Sequence, residues 1–213
     1  NRRYKKNLSF DHGLQYISPV SNDFKKFIQR LKIKKIIKEW TGNNLDFTFN
    51  KKEKSVKYIG VKGNNQICKY LIRNIKSNYL SEVTNIQFKS NYWTITLNNK
   101  SKVFFKKVIL TCPFPQLKLL GYKYLSKEIK NINLKMTPNI TVMVAYENCK
   151  KIPVSSIKFN NDIIAWASHE NTKKRFNSNQ SLWTIQCTNT FSQKNINLLK
   201  KNKKKYQLII LKK

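Results

Sequence analysis

The chain has 213 residues and a formal net charge of +33, from 43 Lys and Arg against 10 Asp and Glu. Its 40% hydrophobic and 12% aromatic content excludes a disordered polyelectrolyte and allows one domain or two small ones. No apolar run approaches the ~20 residues of a membrane-spanning helix and no signal peptide is visible, so a cytoplasmic protein without membrane association is expected.

In chain order, residues 8–17 predict a strand broken by a turn, with Asp11 and Gly13 supplying the turn chemistry and Gly13 free to take a positive φ. Ser21-Asn22-Asp23 offers an N-cap for a helix over about 22–40, with Phe24, Phe27, Ile28, Leu31, Ile36 and Ile37 at near-helical spacing. Trp40 closes that helix and Thr41-Gly42-Asn43 stops it. LDFTF at 45–49 alternates like a strand, and a helix is expected over about 64–78.

Three strands follow, at 82–88, 91–97 and 104–112. The apolar end of the third reads as buried on both faces, in the middle of a sheet, until Pro113 and Pro115 end it. Strands at 140–147, 155–159, 162–168 and 181–188 are spaced like an antiparallel sheet, with a hairpin signal at Asn160-Asn161. From about residue 191 the chain reads as a Lys-rich tail of low complexity.

The residue types exclude several chemistries. Two histidines, His12 and His169, support no nucleophilic triad, and five glycines cannot build a glycine-rich phosphate cradle. Cys68, Cys112, Cys149 and Cys187 form no CxxC pair, so no metal is expected and the thiols read as small buried hydrophobes in a reducing compartment. The charge invites a nucleic-acid reading. Against it, only five basic residues are Arg, the side chain whose planar fork suits phosphates and base edges. Lys is instead interleaved with Asn and Ile along the whole chain. A basic nucleic-acid or polyanion-binding module therefore stands as the alternative function, and loose, non-specific adhesion to nucleic acid is expected in either case.

The order of short motifs points elsewhere. Arg2-Arg3 precedes FDHGLQYIS at 10–18; YIGVKGNNQICKYL follows at 58–71; VILTCPFPQLKLL spans 108–120; AWASHENTKKR spans 165–175. Together these resemble the flavin-dependent amine oxidases, and most closely the renalase-like NAD(P)/FAD-dependent oxidoreductases. In that family comparable segments read FDHGAQYF, YVGxxGM and VVLAxPxPQxxxLL, and a Trp is followed by SKPGR. Here Asn64 stands where Met is usual, and the Pro-Gly after Trp166 is missing. The likeness covers roughly residues 1–190.

The resemblance implies an α/β fold with α+β character. A partial FAD-binding domain (1–20 and 60–115) would be interleaved with an antiparallel-sheet substrate domain (21–59 and 116–190), followed by the tail at 191–213. It implies FAD as cofactor, held by Arg2, Arg3, His12, Gly13, Gln15, Tyr16, Val83 and Pro113. Arg2 and Arg3 would lie near the pyrophosphate, Gly13, Gln15 and Tyr16 near the flavin ring, and Val83 near the adenine. Trp40, Trp166 and Trp183 would wall the substrate pocket, where His169 could serve as a polar group. The implied reaction is hydride transfer from an amine-like or dihydronicotinamide-like substrate to flavin, with O2 as oxidant. The dinucleotide-binding fingerprint and the closing flavin segment of the family are absent from these residues. The chain is therefore expected to be an incomplete copy that binds FAD weakly and is inactive alone.

Overall fold

The structure, a computed structural model, describes residues 2–5, 8–48, 51–52, 56–132, 134–147 and 152–211. It is an α/β fold that divides into two compact units, residues 1–74 with 137–213, and residues 75–136.

The first unit opens with a hairpin of β1 (Arg2–Lys5) and β2 (Leu8–Asp11), with Arg2 opposite Asp11 and Arg3 opposite Phe10. Helix α1 (Asn22–Ile33) starts where the sequence places it, because the Ser21 side chain accepts a hydrogen bond from the Phe24 N–H. It stops earlier than the 22–40 expected. Lys35 takes φ 54°, the chain reverses, and Ile37–Glu39 becomes β3. The apolar pair Ile36-Ile37 reads as another helical turn, but Ile37 opens the strand. Strand β4 (Asn43–Asp46) and the short β5 (Lys51–Lys52) follow, then β6 (Tyr58–Gly60), which pairs with β3. Helix α2 (Asn65–Leu71) is about half the expected length. Ile28, Leu31, Ile37 and Ile67 make one core between these elements.

The second unit holds a three-stranded antiparallel meander, β7 (Val83–Lys89), β8 (Tyr92–Leu97) and β9 (Lys102–Phe105). Ser90 (φ 51°) and Asn91 (φ 63°) both lie in the left-handed region, as a two-residue hairpin turn requires. The expectation of a central strand over 104–112 fails. Pairing ends at Phe105, β9 is an edge strand, and Ile109 is 88% exposed. The apolar run has no neighbouring strand to pair with among the described residues, and Lys106-Lys107 separates it from the ladder. Pro113 caps helix α3 (Phe114–Gly121), and α4 (Lys127–Lys130) ends the unit.

Back in the first unit, β10 (Thr141–Tyr146), β11 (Val154–Lys158), β12 (Ile164–His169) and β13 (Ser181–Cys187) form the antiparallel sheet the sequence announced. With β4 and β5 it makes six strands in the order β10-β13-β12-β11-β4-β5, with β11 and β4 parallel. The stretch read as a low-complexity tail is instead two helices, α5 (Asn189–Lys201) and α6 (Lys203–Leu211). They cover one face of the sheet. Ile210 is fully buried with Ile140, Val142, Ile164 and Cys187, while Ile196 and Leu199 pack alongside. Burial pushes the Cys187 thiol up to about 11. Cys68 is exposed and Cys112 half-buried, contrary to the expectation of buried thiols; Cys149 lies outside the described residues. No helix among the described residues is long and apolar enough to cross a membrane.

Candidate functional site

The sheet's other face positions the site. On β13, Thr184 and Gln186 alternate with Trp183, Ile185 and Cys187. Of the latter set, Ile185 and Cys187 pack against α5 and α6. The former meets the segment that leaves β2, residues 12–16, whose far end is held by paired hydrogen bonds of 2.8 Å between Ile17 and Tyr58.

Beneath that segment lies a buried ionic knot. Lys173 Nζ is 3.3 Å from Asp11 Oδ2, 2.9 Å from Glu170 Oε2 and 3.2 Å from Gln15 Oε1. Arg175 pairs with Asp11 through Nη1, and donates from Nε to Gly60 O at 3.0 Å and from Nη2 to Asn64 Oδ1 at 3.1 Å. Two carboxylates meet two cations, so the knot is neutral, as burial demands. Burial pushes the Glu170 carboxyl above the usual carboxylate range, opposed by Lys173 and by the Thr184 hydroxyl 2.7 Å away.

Asn64 is the hub of the backbone around it. Its Oδ1 accepts from Gly60 N–H at 2.9 Å as well as from Arg175, and its Nδ2 donates to Leu14 O at 2.6 Å and Gln15 O at 3.1 Å. Gly60 has to be glycine, since a Cβ there would sit 2.2 Å from Gly63 O.

Above the knot stand three rings. Tyr16 lies 5.9 Å from Trp166 and 6.3 Å from Trp40, and the two tryptophans are 6.4 Å apart. Trp40 Nε1 donates to Thr172 Oγ1 at 2.9 Å, which fixes its ring. Lys57, 1% exposed, places Nζ 4.5 Å from the centre of the Tyr16 ring and bonds Asn44 Oδ1 at 3.3 Å and Ser156 Oγ at 3.1 Å.

Two adjoining cavities open here. One, of about 430 Å3, is lined by Gly13, Leu14, Gln15, Tyr16, Trp166 and Gln186. The other, of about 420 Å3, is lined by His12, Gly13, Asn139, Thr141, Met143 and Gln186. Gly13 and Gln186 belong to both, and Gln186 Nε2 reaches Gly13 O at 3.4 Å.

Of the residues expected near a flavin ring, His12, Gly13, Gln15 and Tyr16 are thus brought together, with Trp40 and Trp166 of the expected pocket wall. Gly13 does not take a positive φ; Gly42 and Gly63 are the glycines that do. Its value here is the side-chain-free backbone shared by two cavities. Trp183 lies on the face of β13 opposite Gln186, stacked on His169 with ring centres 4.5 Å apart. There the Trp183 indole donates to Ser181 Oγ at 2.9 Å, and Ser181 Oγ lies 3.1 Å from His169 Nε2. His169 Nδ1 lies 3.2 Å from Val154 O, and burial pushes the imidazole below its usual range. Val83 opens β7 and Pro113 caps α3, both in the second unit. Arg2 and Arg3 lie on β1 beside β2.

The sequence reading missed Lys57, Asp11, Glu170, Lys173, Arg175 and Gln186 as members of the site. One signal could have found the acids. In a chain with 10 carboxylates among 43 cations, each acid is worth examining as a buried partner.

No family model matches the chain, and no curated protein does. Among solved structures it is similar to a candidate protoporphyrinogen oxidase from Exiguobacterium sp. 255-15, at 12% identity and a TM-score of 0.49, over 62% of this chain and 30% of that one. It is also similar to a Pyrococcus furiosus protein, at 14% identity and a TM-score of 0.48, over 68% of this chain and 41% of that one. The chain thus spans less than half the length of either structure.

The flavin group implied by the resemblance can be tested against these residues at its ring end. The segment 12–16 offers a bare backbone at Gly13, an aromatic wall and two cavities in the size range of small-ligand sites. Asp11 Oδ1, inside the knot, is buried without a hydrogen-bond partner among the described residues. These features fit a flat, hydrogen-bonding heterocycle.

Proposed function

We propose that this chain carries the ring-binding part of an FAD-dependent oxidoreductase of the renalase-like, amine-oxidase type. The observation that supports the reading is the convergence of His12, Gly13, Gln15, Tyr16 and Trp166 on two adjoining cavities, from motifs far apart in sequence. FAD, when bound, supplies the acceptor for a hydride from an amine-like or dihydronicotinamide-like substrate.

The chain's own residues bind, orient and exclude water. Gly13 lets main chain approach a planar ring, because no Cβ stands in the way. Tyr16 and Trp166 present aromatic surface to a flat partner. The Asp11–Lys173–Glu170–Arg175 knot and the Asn64 hub hold the segment 12–16 in place. Arg2 and Arg3 would meet the pyrophosphate, Val83 and Pro113 would serve the rest of the cofactor, and Trp40 would complete the substrate pocket, from which Trp183, on the other face of β13, is set apart. The assignment of 1–20 and 60–115 to the cofactor, and of 21–59 and 116–190 to the substrate, belongs to the same proposal. So do O2 as oxidant and a cytoplasmic setting.

The test uses the ring alone. Titrating the chain into riboflavin should give weak but saturable quenching of flavin fluorescence. Gly13→Val, which fills the shared backbone wall, and Trp166→Ala, which removes the ring, should each abolish it. Absence of saturable quenching, or quenching untouched by both substitutions, would overturn the reading.

A further inference from the structure

The end of β12 and the start of β13 meet at another cavity, of about 670 Å3, which the flavin reading does not use. Ser181 and His169 both line it, 9% and 6% exposed, and Ser181 Oγ lies 3.1 Å from His169 Nε2. The direction of each bond around them follows from what its partners can do. Val154 O, 3.2 Å from His169 Nδ1, only accepts, so Nδ1 carries the proton. Nε2 of the neutral ring is therefore an acceptor, and the Ser181 hydroxyl donates to it. The Trp183 indole only donates, so its 2.9 Å bond fills one lone pair of Ser181 Oγ. The other lone pair has no partner among the described residues.

An activated nucleophile needs a hydroxyl, a base bonded to it and a third group that orients the base. Here Val154 O takes the place that a carboxylate holds in a triad, so one histidine without a neighbouring acid suffices. Trp183 fixes the imidazole from its face, stacked at 4.5 Å and within 2° of parallel. Burial pushes the imidazole below its usual range, so at neutral pH it is unprotonated and able to take a proton. Asn177, Asn179 and Lys174 line the same cavity and carry hydrogen-bond donors for an oxygen that becomes anionic. A carbonyl stabilises the imidazolium less than a carboxylate would, and burial weakens the base further. The leaving group must therefore depart readily, which favours esters over amides.

We propose that Ser181 and His169 form a catalytic dyad that hydrolyses carboxylic esters. Ser181 Oγ attacks the ester carbonyl carbon as its proton passes to His169 Nε2. The bond from that carbon to the alcohol oxygen then breaks, and the imidazolium returns the proton to the departing alkoxide. Water, giving a proton to the same Nε2, attacks the acyl-serine; the carboxylic acid leaves and Ser181 regains its hydrogen. Ile152 and Phe176 offer the acyl group an apolar wall. The site shares no lining residue with the two cavities at Gly13, and the proposal does not depend on flavin.

Diisopropyl fluorophosphate tests the nucleophile, since it forms a P–O bond to an activated serine and loses fluoride. It is incubated with the full chain at neutral pH, and the modified peptides are mapped by mass spectrometry. Ser181 should be labelled at least about 100-fold faster than Ser178, which lines the same cavity but bonds the Gln180 N–H and no histidine. His169→Gln should slow the labelling of Ser181 by a similar factor. The comparison of two serines within the unaltered chain decides the matter if that variant does not fold. The ester 4-nitrophenyl butyrate tests turnover. It should be hydrolysed many times per chain, beyond the single acylation that each surface lysine can undergo, and Ser181→Ala should remove that turnover. Labelling of Ser181 no faster than of Ser178, labelling that His169→Gln leaves unchanged, or ester turnover that is absent or survives Ser181→Ala would each overturn the proposal.

Discussion

At the scale of single residues, Asn64 is the most informative position. It uses all of its hydrogen-bonding capacity, bonding Gly60 N–H, Arg175 and the carbonyls of Leu14 and Gln15. Met can replace none of these bonds. Asn64→Met is expected to leave the Gly60 N–H and two carbonyls buried without partners, lowering stability by roughly 2 to 4 kcal/mol. Urea denaturation of the two proteins measures this. His169 gives a pH signature. Burial lowers its folded-state pKa below the ordinary 6.5, so in the window just under 6.5 the unfolded chain binds a proton that the folded chain does not. Stability is therefore fully present above that value and falls as the pH drops below it. Comparing urea midpoints on either side of pH 6.5 should show the fall, and His169→Gln should flatten it. That Gly13, Gln15 and Tyr16 gather at one cavity was legible because a short motif names them together. Lys57 and Lys173 were not. In a sequence with 43 basic residues, nothing local separates a buried lysine from a solvated one.

At the scale of elements, legibility followed the strength of local signals. Strands β10 to β13 were foreseen within a few residues, because alternation and turn residues mark each one. Helix α1 was foreseen at its start, where Ser21 caps it, and overrun at its end, where a lysine with positive φ gives no sequence warning. The largest miss was the C-terminal stretch. Lysine and asparagine hide its period, but Phe191, Ile196 and Leu199 of α5 reach the sheet, as Ile210 does from α6. These helices are part of the core and not an appendage. Ile210→Ala should cost about 2 to 5 kcal/mol, the usual range for emptying a buried aliphatic site. Thermal or urea unfolding of the alanine variant beside the parent chain reads this loss directly. A change of a few tenths of a kcal/mol would mean that α6 does not seal the sheet.

At the scale of the whole molecule, charge is the dominant fact, and it separates two kinds of binding. A surface bearing most of 43 basic and 10 acidic groups attracts any polyanion, and that attraction is set by counterion release. The cavity at Gly13 and Tyr16 is different in kind. Its walls are rings, amides and bare backbone, and the cations near it, Lys57 and Lys173, are buried and fixed by named partners. The two should respond differently to salt. Binding of a short duplex DNA of arbitrary sequence is expected to weaken steeply and linearly in log affinity against log salt, with no preference between unrelated sequences. Riboflavin carries no charge, so its quenching should be nearly unchanged over the same range. Fluorescence anisotropy of labelled duplex and flavin quenching, run on one preparation across a salt series, make the comparison directly. Sequence-dependent DNA affinity that survives high salt would favour the nucleic-acid module over the flavin reading, because specific base contacts are what counterion release does not supply.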